Sequence, residues 1–183
     1  VGAPGLSVAI VEDGKTTLAR GYGAKGLAGG QKVDADTLFQ IGSTSKAFTS
    51  AALAILVDEG KIKWDDPVID HLPDFRMYDP WVTREITIRD LLVHRSGLGL
   101  GQGDLMMVPA TNLSRAETVR RVRFLKPATS FRSGYAYDNI LYIVAGLLIE
   151  QVSGQTWEDF VRDRLFGPVG MPLSVTNDID RFK

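Results

Sequence analysis

Two short runs rich in apolar and β-branched residues, Leu6 to Glu12 and Thr16 to Tyr22, flank Glu12-Asp13-Gly14-Lys15. Asp-Gly accepts the positive φ that a two-residue turn requires, so the pattern predicts a β-hairpin over residues 5–23. Gly21, Gly23, Gly26, Gly29 and Gly30 crowd the next stretch without phosphate-loop spacing or a Gly-Lys-Ser/Thr ending. They predict a flexible connection and not a nucleotide cradle. From Ser43 the period becomes helical, with Ala47, Phe48, Ala51, Ala54 and Ile55 on one side and Gly60 placed to stop the helix.

Asp66-Pro67 supplies a cap and an N1 proline before Val68, Ile69 and Leu72, a short helix closed by Pro73. Thr87 to Asp90, Ser114 to Glu117 and Thr156 to Asp159 carry capping-box spacing, and each predicts a helix start. Asn139 to Val152 is almost continuously apolar and ends before Gly154, which predicts a buried helix. Gly97 to Pro109, with glycine at 97, 99, 101 and 103, reads as a loop, and Met106-Met107 could cover a pocket. No repeat or low-complexity linker divides the chain, so the expectation is an α+β domain: an N-terminal hairpin, then a mainly helical region over residues 43–171. A hairpin needs further strands or a packed helix, and no third strong strand follows. Residues 1–183 are therefore expected to be a partial domain whose remaining antiparallel strands lie elsewhere. The opening Val1-Gly2-Ala3-Pro4, without initiator Met or signal peptide, fits a cut chain.

Composition narrows the function. The chain has 183 residues, 44% of them hydrophobic, and a formal net charge of −1. This is ordinary globular composition with enough chain for one core. The near-neutral balance gives no nucleic-acid footprint, and Arg120, Arg121 and Arg123 fall within an amphipathic helix pattern. The absence of cysteine excludes disulfides, thiolate zinc sites, iron–sulfur clusters and a thiol nucleophile. No apolar window approaches the roughly 18 residues of a membrane span. His71 and His94 share no metal-type spacing with a carboxylate cluster, so neither a metal nor another cofactor is implied.

The strongest chemical candidate is Ser43-Thr44-Ser45-Lys46, a Ser-x-x-Lys spacing at a helix mouth. Residues i and i+3 share a face, so the Lys46 amine can reach the Ser43 hydroxyl and act as its base. An exposed lysine would not serve, because its pKa must fall toward about 7 to 8. With ten Ser and eight Lys the bare spacing recurs by chance about 0.4 times per chain of this size. Ser43 as a helix cap with a solvated Lys46 is the structural alternative. Tyr137-Asp138-Asn139 is rarer by the same arithmetic, at about 0.08. A phenol acidified by an ammonium can shuttle protons, and a carboxamide can orient a substrate, although a packed tyrosine and a capping asparagine would look the same. His94, four residues after Asp90, could join Ser96 in a Ser/His/Asp relay, but there is no Gly-x-Ser-x-Gly elbow.

Gly42 to Lys46 and Tyr137-Asp138-Asn139 are followed by Gly146, Glu150, Gly154 and the Phe166-Gly167-Pro168-Val169-Gly170-Met171 ending. With the segment Leu91 to Leu98, these motifs closely resemble the serine β-lactamase and penicillin-binding-protein superfamily, best its class C β-lactamase and esterase branch. The resemblance covers nearly the whole chain. It implies a β-lactamase/transpeptidase-like fold, Ser43 as nucleophile, Lys46 as proton-transfer partner, Tyr137 as general base or acid, and Asn139 touching substrate. The substrate would be a β-lactam, a D-amino-acid peptide or a small ester, handled without a cofactor in the periplasm or outside the cell. The family's third motif, a Lys-Thr-Gly-like strand giving the second oxyanion-hole N–H, does not occur before Lys183, and losing one such donor costs about 2.7–4 kcal/mol. Residues 1–183 alone are thus expected to be crippled, with the missing C-terminal part of the domain as their partner. Asp138 departs from the Ala or Ser usual between that Tyr and Asn, and its carboxylate is expected to raise the phenol's pKa. A silent penicillin-recognition domain and a purely structural helical domain are the other two readings.

Overall fold

A computed structural model describes residues 2–176, so the expected range 1–183 runs past the described residues at both ends. The described residues form two compact units, residues 2–41 with 173–176 and residues 42–172.

In the first unit, β1 (Gly5–Glu12) and β2 (Lys15–Gly23) form the expected hairpin, Glu12 facing Lys15 across Asp13-Gly14. Both turn residues have positive φ, 50° and 73°, as the primed hairpin turns demand. A register shift between Ile10 and Val11 leaves Thr17 as the extra residue of a bulge. The glycine-rich connection is less free than expected. Ala24 bridges Lys32, and Val33 lies so close over β2 that a Cβ on Gly21 would sit 2.4 Å from its carbonyl carbon. Leu6, Ile10, Val11 and Tyr22 remain exposed, and among the described residues the sheet has only these two strands.

The second unit is helical. A 3-10 turn over Gly42–Ser45 leads into α1 (Lys46–Asp58), which ends in a Schellman cap: the Lys61 N–H donates to Leu56 O and the Gly60 N–H to Val57 O. The expected apolar stripe of α1 is corrected. Thr49, Ala52, Leu53 and Leu56 are buried, whereas Ala47 is exposed and Phe48, Ala51, Ala54 and Ile55 are only partly covered. The helix is apolar on nearly every side, so periodicity alone did not select its inner face.

Next come α2 (Val68–His71) and α3 (Pro80–Glu85). Pro67 takes the cap position of α2, not N1, and Asp66 instead accepts from the Lys63 N–H and contacts His71 Nε2 at 3.0 Å. The pattern missed α3, although Asp79-Pro80 repeats the Asp-Pro signature and the Asp79 side chain caps the Trp81 N–H. Thr87 and Asp90 form their box, the Asp90 carboxylate accepting from the Thr87 N–H and hydroxyl, but only a 3-10 turn over Arg89–Leu92 follows. The loop from Gly97 contains a short 3-10 turn, Asp104–Met106. The boxes opening α4 (Arg115–Arg121) and α6 (Trp157–Val161) form as expected, Ser114 and Thr156 accepting from the Glu117 and Asp159 N–H groups.

Between these last two, α5 (Ile140–Ser153) is the expected buried helix and ends at Gly154, whose φ is +73°. Its Ile140, Leu141, Val144, Ala145, Leu148 and Ile149 are fully buried and share one core with Leu53 and Leu56 of α1, Val119 of α4 and Phe160 of α6. Burying such side chains supplies about 1.5–3 kcal/mol each and fixes α1 against α5. Among the described residues, no helix is long and apolar enough to cross a membrane.

Candidate active site

The packing of α1 against α5 sets the first residues of α1 beside the segment that enters α5. Ser43 lies on the 3-10 turn, where side chains at i and i+3 eclipse, and Lys46 is the first residue of α1. Lys46 Nζ donates to Ser43 Oγ at 3.1 Å, to Tyr137 Oη at 2.6 Å and to Asn139 Oδ1 at 2.6 Å. Three N–H donors thus meet three acceptors, the arrangement of an ammonium. The Tyr137 and Tyr142 rings lie 4.7 and 5.1 Å from the same nitrogen. The Tyr137 hydroxyl in turn donates to Ser43 Oγ at 2.5 Å. All four residues picked out by the motifs, Ser43, Lys46, Tyr137 and Asn139, therefore converge, across more than ninety residues of sequence.

The Tyr137 segment is strapped in place by the loop that follows the Arg89–Leu92 turn. His94 O accepts from the Ala136 N–H at 2.9 Å, His94 Nδ1 accepts from the Asp138 N–H at 3.3 Å, and Tyr137 O accepts from the Gly101 N–H at 2.9 Å. The His94 ring lies 4.5 Å from the Tyr137 ring, centre to centre. Upstream, the Arg132 guanidinium grips both oxygens of Asp90, which is only 2% exposed. Burial alone would raise the Asp90 pKa, but Arg132 and the Thr87 hydrogen bonds outweigh it and hold the carboxylate below its ordinary value.

The Ser/His/Asp relay that the spacing of Asp90 and His94 could suggest, and that the missing elbow argued against, does not form. Asp90 belongs to Arg132 and Arg95, while His94 and Ser96 face Asp138. Desolvation and the positive charge of Lys46 depress the His94 pKa, and Nδ1 is already occupied as an acceptor. His94 is therefore a neutral packing residue here.

Asp138 also departs from expectation. It is fully buried, and it accepts from the Leu141 N–H and the Ser96 hydroxyl. It, and not Asn139, is the side chain that caps α5. Burial pushes its pKa up to about 6. The Tyr137 pKa is lowered, chiefly by the hydrogen bond from Lys46 and then by that with Ser43. Burial and the Asp104 carboxylate oppose this lowering. Sequence reading missed Asp104 because it comes from the glycine-rich loop, at no spacing tied to either motif. The Asn139 Nδ2 donates to both of its oxygens, at 3.1 and 3.0 Å.

Beside Lys46 and Asn139 opens a cavity of about 200 Å³, lined also by Thr49, Met107, Tyr142, Ile143 and Trp157. Arg115 on its wall is held by Glu150 and Glu158.

A serine hydroxyl accepting from both an ammonium and an acidified phenol is placed for nucleophilic attack, because both donors stabilise negative charge developing on its oxygen. Comparison with known proteins gives this arrangement a family. The Beta-lactamase family model matches residues 1–178, and the chain belongs to that family. Its relatives include Unguisins hydrolase ungD' of Aspergillus campestris, 41% identical over 92% of this chain and 32% of that protein. Penicillin-binding protein 4 of Amycolatopsis lactamdurans is 33% identical over 94% of this chain and 45% of its own length. The D-amino acid amidase of Ochrobactrum anthropi SV3, solved with L-phenylalanine, superposes with a TM-score of 0.79 at 28% identity, covering 98% of this chain and 50% of that one. The chain thus spans about a third to a half of the length of these relatives. The fold is accordingly the expected α+β, β-lactamase/transpeptidase-like one, and the relatives support a serine-hydrolase-like function in general.

Proposed function

We propose that Ser43 is the nucleophile of a hydrolase that forms and then hydrolyses an acyl-enzyme. The observation that carries this reading is the joint approach of Lys46 Nζ and Tyr137 Oη to Ser43 Oγ. Ser43 Oγ bonds to the acyl carbon while its proton passes to the Tyr137 phenolate, which Lys46 stabilises. The re-formed phenol gives that proton to the departing amine or alkoxide as the acyl–leaving-group bond breaks. Water then adds to the ester carbon, losing its proton to the same phenolate, and the Ser43 C–O bond breaks with that proton returning to Oγ. Asn139 holds Lys46 through its Oδ1 and Asp104 through its Nδ2, at the edge of the cavity that would receive the acyl group. Amide and peptide bonds head the substrate range, ahead of β-lactams and small esters, because relatives are named as an unguisins hydrolase and a D-amino acid amidase. On this reading the sheet has more strands than β1 and β2. The exposed Leu6, Ile10 and Val11 support that extension.

The test is turnover of a D-amino-acid amide, a chromogenic β-lactam and a nitrophenyl ester by full-length protein and by Ser43→Ala. Hydrolysis of at least one substrate, lost by about 10³-fold or more in Ser43→Ala, is expected. A penicillin adduct on Ser43 that never turns over would replace the enzyme by a recognition domain. Unchanged hydrolysis in Ser43→Ala would overturn the reading.

A further inference from the structure

The Asn139 amide sits between two charges of opposite sign. Its Oδ1 accepts from Lys46 Nζ at 2.6 Å, and its Nδ2 donates to the two carboxylate oxygens of Asp104 at 3.1 and 3.0 Å. Turning the amide over would set NH2 against an ammonium and a carbonyl oxygen against a carboxylate, so the charges on its two sides fix its orientation. Asp104 is itself braced. Its N–H donates to Gly101 O, its carbonyl accepts from the Met107 and Val108 N–H groups, and the Gly101 N–H donates to Tyr137 O. One short turn therefore holds the backbone of Tyr137 and, through a carboxylate, the side chain of Asn139.

We propose that Asp104 is a positioning residue for the Ser43 chemistry: it locks Asn139 with its oxygen toward Lys46 and balances the charge that Lys46 presents to the Tyr137 phenol. The inference rests on the hydrolase reading above and deepens it. Asp104 touches neither Ser43 nor Lys46 and acts through Asn139. Without its carboxylate the amide loses the partner that forbids the flipped state, and Lys46 loses a firmly held acceptor. The phenol then also feels the ammonium unopposed.

The other ionisable groups around this cluster leave that assignment intact. Asp138 is buried against Ser96 and His94, His94 is a neutral acceptor, and Tyr142 directs its hydroxyl to Leu92 O. Tyr135 meets only the edge of the His94 ring, and Arg115 across the cavity is held by Glu150 and Glu158.

The experiment compares Asp104→Asn and Asp104→Ala with wild type in the full-length protein, by kcat, KM and pH–rate profile. Asp104→Asn keeps an oxygen to accept from Asn139 but removes the charge. It should hold kcat within a few-fold and move the Tyr137 limb to lower pH by about 0.5 unit, the size expected for one charge across a partly solvated gap. Asp104→Ala removes both effects and should lower kcat by about 10-fold or more, with a smaller change in KM. Circular dichroism identifies any variant that fails to fold. Ultraviolet difference titration of the phenol, with Tyr137→Phe as the blank, reads the same shift without turnover. Wild-type kinetics and titration in both variants, or equal losses with an unmoved pH limb, would overturn the proposal. Failure of the underlying hydrolase reading shows separately, as activity that survives Ser43→Ala.

Discussion

Replacing Asp138 by Asn should stabilise the protein, and only above a defined pH. The carboxyl is fully buried at the mouth of α5, and His94, 4.0 Å away, is held neutral and so offers it no counter-charge. Burial moves its pKa from an ordinary 3.8 to about 6. Because the folded value is the higher one, folding favours the protonated acid. Below about pH 4 both states hold the proton, and the shift has no effect on stability. Between about pH 4 and 6 the unfolded chain releases its proton first, and stability falls. Above that the loss levels off at about 3 kcal/mol, at 1.36 kcal/mol per pH unit. An amide escapes this loss and keeps the contacts: its oxygen can accept from the Leu141 N–H and its NH2 can donate to Ser96 Oγ, the groups that Asp138 now meets at 3.3 and 3.4 Å. With an allowance for imperfect replacement, Asp138→Asn should gain about 1–3 kcal/mol at pH 7.5 and almost nothing at pH 3.5. Urea unfolding at the two pH values reads this directly. A gain of equal size at both, or a loss at pH 7.5, would refute the reasoning.

Other perturbations have equally specific outcomes. Tyr137→Phe keeps the ring but removes the hydroxyl on Ser43, and kcat should fall about 10²- to 10⁴-fold with circular dichroism unchanged. In wild type, activity should rise with pH through the lowered Tyr137 value as the phenolate forms, a limb the Phe variant should lack. Arg132→Ala takes the nearer guanidinium from the buried Asp90 carboxylate and leaves it Arg95 at 3.5 Å and the Thr87 hydrogen bonds. The loss in urea unfolding at pH 7 should be about 2–4 kcal/mol, reduced from that of a wholly buried pair because Arg132 is partly exposed. As the folded Asp90 value lies below the unfolded one, the wild-type contribution is present above the ordinary carboxylate range and fades on acidification, so the variant's deficit should shrink toward low pH. Gly97→Ala places a Cβ 2.7 Å from Thr129 O at φ +95° and should lower thermal stability by about 1–3 kcal/mol or more.

What the sequence revealed follows from the range of the interactions involved. The hairpin, the Ser114 and Thr156 helix starts and the stop at Gly154 depend on neighbours within a few positions, and they were legible. Ser43-x-x-Lys46 and Tyr137-x-Asn139 were legible as two local spacings, although nothing local states that they meet. The inner face of α1 was not, because Phe48, Ala51 and Ile55 are as apolar as Leu53 and Leu56, and only packing against α5 chooses between them. The box at Thr87 formed yet gave a single 3-10 turn, and nothing local announced that its carboxylate also holds Arg132, forty-two positions away. Asp104 and the burial of Asp138 stayed hidden for the same reason: their partners, Asn139 and Ser96, are distant in sequence.

The central claim is that Ser43 attacks with help from Lys46 and Tyr137. Acid quenching of the full-length protein in the first turnover of an activated ester, followed by peptide mass mapping, tests it most directly. An acyl group is expected on the peptide containing Ser43, its formation slowed by Tyr137→Phe and Lys46→Ala. An acyl group on any other residue, or equal acylation of Ser43 in both variants, would contradict it.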